Sequence, residues 1–287
     1  MKKIYILCDH GLGNRLASLI GGLTIAKRFN LLPVICWPTN NWCYAEFTDL
    51  FDLNFDLADN NFSQSIVEQI QELGLHYFFI STFRDNCIST NRIGFDDIAT
   101  TYEDIIYSQC KIPKGKITSE DISSALSSLK IRKRILKKVR SFCSLNEINE
   151  QTVGIHLRKS DSNHIINDDE IFEEIKNSPH RKYFICSECK ETQNKFSQLA
   201  NVCVNYKDTE VKKITDAEWR DSVIDKTGKA VLYNIERPKE QIVDALVDML
   251  LLSRTNINNR KFRIHRITPD QIIKQATGIR IIWPRQE

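Results

Sequence analysis

The densest concentration of chemistry in this chain is Val153-Gly-Ile-His156-Leu-Arg158-Lys159-Ser160-Asp161. It begins as an apolar run and ends in ionisable side chains. Charge in an apolar setting is costly unless it is paired or engaged with a ligand. Alternation along a strand puts His156 and Arg158 on one face, so both could reach one ligand. Arg158 offers a planar fork of donors that fits phosphate oxygens and cannot lose its charge, and Lys159 adds to it. At the carboxyl end of a parallel strand, where open α/β folds bind ligands, the expected occupant is an anion, most simply a phosphate. Asp161 either holds Arg158 in place or contacts a sugar hydroxyl. The plainer alternative is a structural Arg158–Asp161 pair at a strand end.

A second constellation is Asp9-His10-Gly11-Leu12-Gly13-Asn14-Arg15. Glycines after a strand let backbone N–H groups approach a ligand, and a helix N-terminus favours negative charge. It is not a dinucleotide fingerprint, because the third Gly and the acidic residue after the second strand are missing. The plainer alternative is a tight βα turn with Asn14 as the N-cap.

Cys186-Ser187-Glu188-Cys189 closes a third strand. A structural zinc site needs four ligands, and no second Cys or His pair lies at matching spacing, so the cysteines read as incidental thiols and no metal is expected. Ser187 and Glu188 would face the same cleft as Arg158, or else form an ordinary solvated turn. Acidic pairs occur at Asp96-Asp97 and Asp168-Asp169, but no Asp-x-Asp appears anywhere. A metal-bridged diphosphate usually wants such close carboxylates.

The elements that must carry these groups can be read from periodicity. Ile4–Cys8 and Leu32–Trp37 are apolar runs of strand length, and Leu16, Leu19, Ile20, Leu23 and Ala26 between them recur at helical spacing. That is a βα unit with a parallel partner. Trp42–Leu57 reads as an irregular packed surface and Tyr77–Ile80 as another strand. Asp121–Cys143 reads as one long helix with Ile131, Ile135 and Val139 on a stripe. Seven Lys or Arg fall between Lys130 and Arg140, the solvated face of that helix or a weak attraction to a membrane surface. A second unit follows, with strands at Thr152–Leu157, Tyr183–Cys186, Val202–Val204 and Ile279–Trp283. Pro238 opens a strong helix through Val243, Leu246, Val247, Leu250 and Leu251. Asn and Glu interrupt the pattern between Ser144 and Gln151, giving an N-terminal domain over 1–147 and a C-terminal one over 148–287. The expected fold is α/β, two Rossmann-like domains facing a cleft, which suits an enzyme joining a nucleotide-bearing ligand to a second molecule.

The totals narrow the field. In 287 residues, 41% are hydrophobic and 27% charged, as in ordinary globular proteins. A net charge of +3 is too small to argue for nucleic acid. Nine Cys at irregular spacings suggest reduced thiols in a cytoplasmic setting rather than a disulfide framework. The opening apolar run stops at Asp9, short of a signal peptide, and Leu16–Ala26 is far below the roughly 20 residues that span a bilayer.

With these loops in hand, the sequence resembles the fucosyltransferase superfamily of GT-B-like enzymes, which takes in nodulation, α1,6- and protein O-fucosyltransferases. Gly11-Leu-Gly-Asn14-Arg15-Leu16, with Trp37 and Phe47-x-x-Leu-Phe51, looks like its Gly-x-x-Asn region. His156-Leu-Arg158-Lys159-Ser160-Asp161 is similar to its His-x-Arg-Arg-x-Asp motif. Tyr183-Phe-Ile-Cys-Ser187-Glu188 and Ala245-Leu-Val-Asp248-Met-Leu-Leu-Leu-Ser253 look like its nucleotide-side segments. The resemblance implies that Arg158 binds the β-phosphate of GDP-fucose, with His156 and Asp161 supporting it or touching the nucleotide sugar. Asn14 and the backbone of Gly11, Leu12 and Gly13 would line the cleft beside Arg15, and Ser187, Glu188 and Ser253 would lie on the nucleotide side. The sequence departs from the family at Lys159, where a second Arg is common, and at Cys186-Ser-Glu, where Ala-Thr-Asp is usual. After Ser253, Asn258–Thr268 replaces a Ser-rich loop with Arg260, Lys261, Arg263 and Arg266.

The expected activity is inverting, metal-independent transfer of fucose from GDP-fucose to a hydroxyl of a glycan, lipid-linked or free, or of a protein. Arg158 stabilises the departing phosphate. His10, Asp9 and Asp161 are the candidates for a general base. The alternatives are a transferase using another nucleotide sugar and a non-catalytic nucleotide-sugar or glycan-binding module.

Overall fold

The computed structural model describes residues 1–75, 79–108, 116–157, 168–219, 221–225, 228, 230–231 and 233–255. They form two compact units. The first comprises Met1–Asn40 and Glu46–Ile131, and the second comprises Asn41–Ala45 and 132–255.

In the first unit, β1 (Lys3–Leu7) is followed by α1 (Leu12–Arg28), β2 (Leu32–Cys36), a short helix α2 (Phe47–Leu50), β3 (Asp56–Leu57) and α3 (Asn60–Glu72). A hairpin of β4 (Phe79–Arg84) and β5 (Cys87–Arg92), then β6 (Asp104–Ser108) and α4 (Ser119–Ser128), complete it. The sheet order is β3-β2-β1-β6-β4-β5. The first four of these strands are parallel, and β4 and β5 add an antiparallel edge. Period-two alternation divides the core. Leu7, Cys36 and Ile106 join Ile66, Val67 and Ile70 of α3 on one face. On the other, α1 lies so close that a Cβ on Gly22 would come within 2.6 Å of Ile6, and one on Gly21 would collide with the Tyr107 hydroxyl. Trp37 closes over Phe47 and Phe51 at 5.7 and 6.5 Å, the packed but irregular surface expected for Trp42–Leu57.

The long helix expected over Asp121–Cys143 is two helices. Thr118 caps α4 through the Asp121 N–H, and α4 ends at Ser128. Ser127 and Ser128 turn their hydroxyls back onto the Ser123 and Ala125 carbonyls, the local competition that makes Ser a poor helix-interior residue. Ile131, instead of sharing a helical stripe with Ile135, forms a β-bridge with Phe51. The chain passes to the second unit at this break.

There α5 (Lys133–Leu145) leads to β7 (Val153–Leu157), α6 (Asp168–Lys176), β8 (Tyr183–Ser187), α7 (Lys190–Phe196) and β9 (Val202–Val204). The interruption at Ser144–Gln151 marks the turn between α5 and β7, inside this unit. A two-stranded pair, β10 (Val223–Ile224) and β11 (Ala230–Val231), precedes α8 (Lys239–Leu252), with Pro238 at its N-cap as its position suggested. Strands β7, β8 and β9 are parallel, in that order. Val153, Ile155, Leu157 and Ile185 pack with Ile175 and Phe196 on one face. On the other, Gly154 admits Leu252 and Thr255 where any Cβ would collide. Cys186, later along its strand, meets Asp248, so α8 runs antiparallel to the sheet. The Ile279–Trp283 strand lies outside the described residues.

Candidate functional site

In the first unit the candidate loop stands at the carboxyl end of β1, where the strand order reverses between β1 and β6. This is the ligand-binding position of open α/β sheets. Helix α1 starts at Leu12, one turn before the start that the Asn14 N-cap of the plainer alternative would give. Its N-cap is Gly11, with no side-chain cap, and Asn14 sits within the first turn. No acidic residue occupies that turn, and the space beside Gly11 is open. The first N–H groups of α1 thus keep the positive end of the helix dipole without an internal anion.

His10 holds the loop in a left-handed conformation, φ 65°, which non-glycine residues avoid. Arg15 keeps it there. The guanidinium is wholly buried, donates through Nε to the His10 carbonyl at 2.6 Å and through Nη2 to Asn40 Oδ1 at 3.1 Å. Its Nη2 lies 3.8 Å from Asp9 Oδ1, and its carbon sits 5.0 Å from the Trp37 ring centre. Asn40 Nδ2 in turn donates to Asp9 Oδ1 at 2.9 Å. Arg15 Nη1 is buried without a hydrogen-bond partner. Arg15 therefore faces inward and positions the loop, while Gly11, Gly13, Asn14 and His10 keep partial exposure. His10 Nδ1 is 3.7 Å from Asp9 Oδ2. Burial pushes the His10 pKa down and Arg15 adds to this, against the opposing pull of Asp9, so the imidazole is neutral near pH 7.

In the second unit, Arg158, Lys159 and Asp161 lie outside the described residues. His156 is half-buried on β7, beside Cys186 in register and on the face of Gly154. Ser187 ends β8 almost fully buried. Its hydroxyl accepts from the Cys189 N–H at 3.2 Å, and its carbonyl accepts from Gln193 Nε2 at 2.9 Å and from Lys207 Nζ at 2.6 Å. Glu188 is half-buried just beyond it. Ser253 is not brought to this carboxyl edge. It caps α8, its hydroxyl spent on the Leu250 carbonyl at 2.7 Å, beyond the turn where Leu252 meets Gly154.

Behind Ser187 lies a buried polar cluster. Asp248 is ion-paired with Lys207 and accepts from Cys186 Sγ at 2.9 Å and Asn205 Nδ2 at 2.8 Å. Burial pushes the Cys186 thiol well up, and Asp248 adds to this, so it remains a protonated donor. Burial would lower Lys207, but the ion pair and hydrogen bond with Asp248 outweigh it and keep the ammonium charged. Lys207, Asn205 and Gln193 were not among the expected site residues. One signal was available: Asp244 and Asp248 fall four residues apart within the apolar pattern of α8, where solvent-facing acids would not fall.

Among the described residues, no group of three or more His, Cys, Asp or Glu is arranged to hold a metal ion. No described helix is long and apolar enough to cross a membrane.

No protein-family model matches the sequence, and no curated protein matches it either. Its structure does have counterparts. Over 96% of this chain and 94% of the other, it is similar to the fucosyltransferase NodZ from Bradyrhizobium, with TM-score 0.52 and 14% identity. The NodZ α-1,6-fucosyltransferase structure soaked with GDP-fucose gives 0.52 at 15% identity over 96% and 93%, and the one co-crystallised with GDP gives 0.50 at 14%. The fold is that of a GT-B-like fucosyltransferase. This agrees with the two α/β units expected from the sequence.

Proposed function

We propose that this protein is a glycosyltransferase that moves fucose from GDP-fucose to a hydroxyl of a glycan, with inversion at the anomeric carbon and without a metal. One observation carries the reading: the likeness to NodZ runs over nearly the full length of both chains. The polar strand ends give it chemical content. In this reading the first unit serves the acceptor side and the second holds the nucleotide sugar.

The acceptor oxygen attacks the anomeric carbon, the bond from that carbon to the diphosphate oxygen breaks, and GDP leaves with the bonding pair. Negative charge grows on the leaving phosphate. Arg158, with Lys159, meets it by charge-assisted hydrogen bonds, and the open N–H groups of α1 favour anionic charge. Asn14 on the first turn and His156 and Glu188 at the second unit's strand ends bind the donor. The acceptor proton passes to His10, whose neutral imidazole and fixed loop suit a base, with Asp9 orienting it. Asp161 is the alternative base or the partner of Arg158. Ser187 contributes through the turn it anchors. The absence of Asp-x-Asp supports a donor site built on cationic side chains. A cytoplasmic setting accords with free thiols at every described cysteine.

Calorimetric titration with GDP-fucose, other GDP-sugars and UDP-sugars tests this. GDP-fucose binding that weakens at least tenfold in Arg158→Ala, with the fold intact, is expected, each tenfold being about 1.4 kcal/mol. Binding of UDP-sugars alone would move the assignment to another donor. Full transfer activity in Arg158→Ala would remove its central residue.

A further inference from the structure

The second unit carries an aromatic surface that the chemistry above does not use. Asn41–Ala45 belongs to this unit although both flanking segments belong to the first. The Arg237 N–H donates to the Asn41 carbonyl at 2.9 Å, the Tyr44 N–H to the Arg237 carbonyl at 3.2 Å, and Asn41 Nδ2 to the Ile235 carbonyl at 3.1 Å. Glu236 and Lys212 exchange backbone hydrogen bonds of 2.8 and 3.0 Å. Asn234, wholly buried, accepts from the N–H groups of Ile214 and Thr215 and donates to the Thr215 and Ala217 carbonyls. Three irregular segments are thereby joined into one rigid patch.

Alternation decides what it displays. Cys43 and Ala45 are fully buried, whereas Tyr44 is 44% and Tyr233 39% exposed and Trp42 is half-buried between them in character. Trp42 and Tyr233 meet edge to face, centroids 5.0 Å apart. Burial raises the Tyr44 pKa, and the negative charges of Glu236 and Asp225 add to this.

We infer that Trp42, Tyr44 and Tyr233, with the acidic Glu236 and Asp225 of the same unit, form a recognition surface for a neutral or amino-bearing oligosaccharide, a glycan subsite that the second unit adds to the acceptor side served by the first. This role as acceptor subsite rests on the transferase reading. A sugar ring has an apolar C–H face and a hydroxyl rim. Aromatic faces are electron-rich and attract the first. Ionised carboxylates take strong hydrogen bonds from the second. The same carboxylates repel uronic acids. A stable protein partner wants about 1,000 Å² of contact, far more than three rings present. Rings held by a hydrogen-bonded backbone also lose little entropy on binding.

The test uses the full chain, fluorescently labelled, on an array of neutral, amino-sugar and uronic-acid oligosaccharides beside an array of peptides. Retention on neutral or amino-sugar glycans is expected, reduced at least tenfold in the double variant Trp42→Ala/Tyr233→Ala. Trp42→Phe should retain most of it. Should the double variant melt early, the exposed single variant Tyr44→Ala gives the same reading with a severalfold loss. Glycan retention untouched by all these substitutions, no glycan retention, or retention on peptides instead would overturn the proposal. GDP-fucose titration of the same variants separates the two readings. Unchanged donor binding with lost glycan retention supports the subsite, and a wild type that ignores GDP-fucose but keeps aromatic-dependent glycan retention ends the transferase reading alone.

Discussion

Arg15 Nε donates to the carbonyl oxygen of His10 at 2.6 Å, tying a wholly buried cation to a residue whose φ is 65°. A left-handed backbone at a non-glycine residue costs on the order of 1–3 kcal/mol and persists only where its surroundings over-determine it. Here the restraint is a guanidinium that also engages Asn40 and faces Asp9. Arg15→Met would leave the His10 carbonyl and Asn40 Oδ1 without this donor and Asp9 without the cation it faces. A loss of about 3 kcal/mol in urea unfolding is expected. Arg15→Lys should recover less than half, because one ammonium cannot reproduce a planar fork. Unchanged stability in both variants would show that the loop holds itself.

The acid sensitivity of folding should trace in part to His10. Its folded pKa lies below the ordinary value, burial being the main cause, so between the two values the unfolded chain binds more protons. Stability from this group is present above about pH 6.5 and is lost as pH falls below it, with a slope of at most about 1.4 kcal/mol per pH unit. His10→Gln should flatten that segment of the stability curve. Chemical denaturation at pH 8, 6.5 and 5 would show it, and parallel curves for both proteins would deny the assignment.

The strands were legible in the sequence because each is a short apolar run bounded by polar turns, and β1, β2, β7, β8 and β9 stand where those runs predicted. The α4–α5 break was not, because Ile131, Ile135 and Val139 fit a helical stripe perfectly well. Only the pairing of Ile131 with Phe51, eighty residues away in sequence, decides against it. The β10–β11 pair was equally hidden, its two-residue strands being too short for periodicity to register. Likewise the loop at Gly11 could be seen as a turn with open backbone, but its buried lock could not. Arg15 reads as one more polar residue in the first turn of a helix until Asn40, from the next strand's end, is brought against it.

Lys207 and Asp248 make a second buried pair whose removal should separate stability from charge. Asp248→Asn leaves an ammonium in the interior of the second unit without its counter-ion, a change that costs about 3–5 kcal/mol. Replacing both, as Lys207→Met with Asp248→Leu, removes the unpaired charge and should cost less than the single change. It nevertheless deprives the Ser187 carbonyl of one of its two side-chain donors. Urea unfolding of the single and double variants gives the energetic comparison. GDP titration of the double variant then reports whether the β8 turn must be held by Lys207, and the transferase reading expects weaker binding without it.

Gly22 tests how closely α1 must lie on its sheet. A methyl group there would sit 2.6 Å from the Ile6 side chain, and Ile6 is itself fully buried in the middle of β1, so neither partner can move outward. Helix propensity alone favours alanine over glycine by about 1 kcal/mol. Overpacking a dense core typically costs about 1–3 kcal/mol, and displacement of α1 would also shift the loop that Arg15 and His10 share. The steric cost should win. Gly22→Ala is expected to lower the midpoint of thermal unfolding, while the compensating pair Gly22→Ala with Ile6→Val recovers part of the loss. Stabilisation by Gly22→Ala alone would mean that α1 stands farther from β1 than this packing requires.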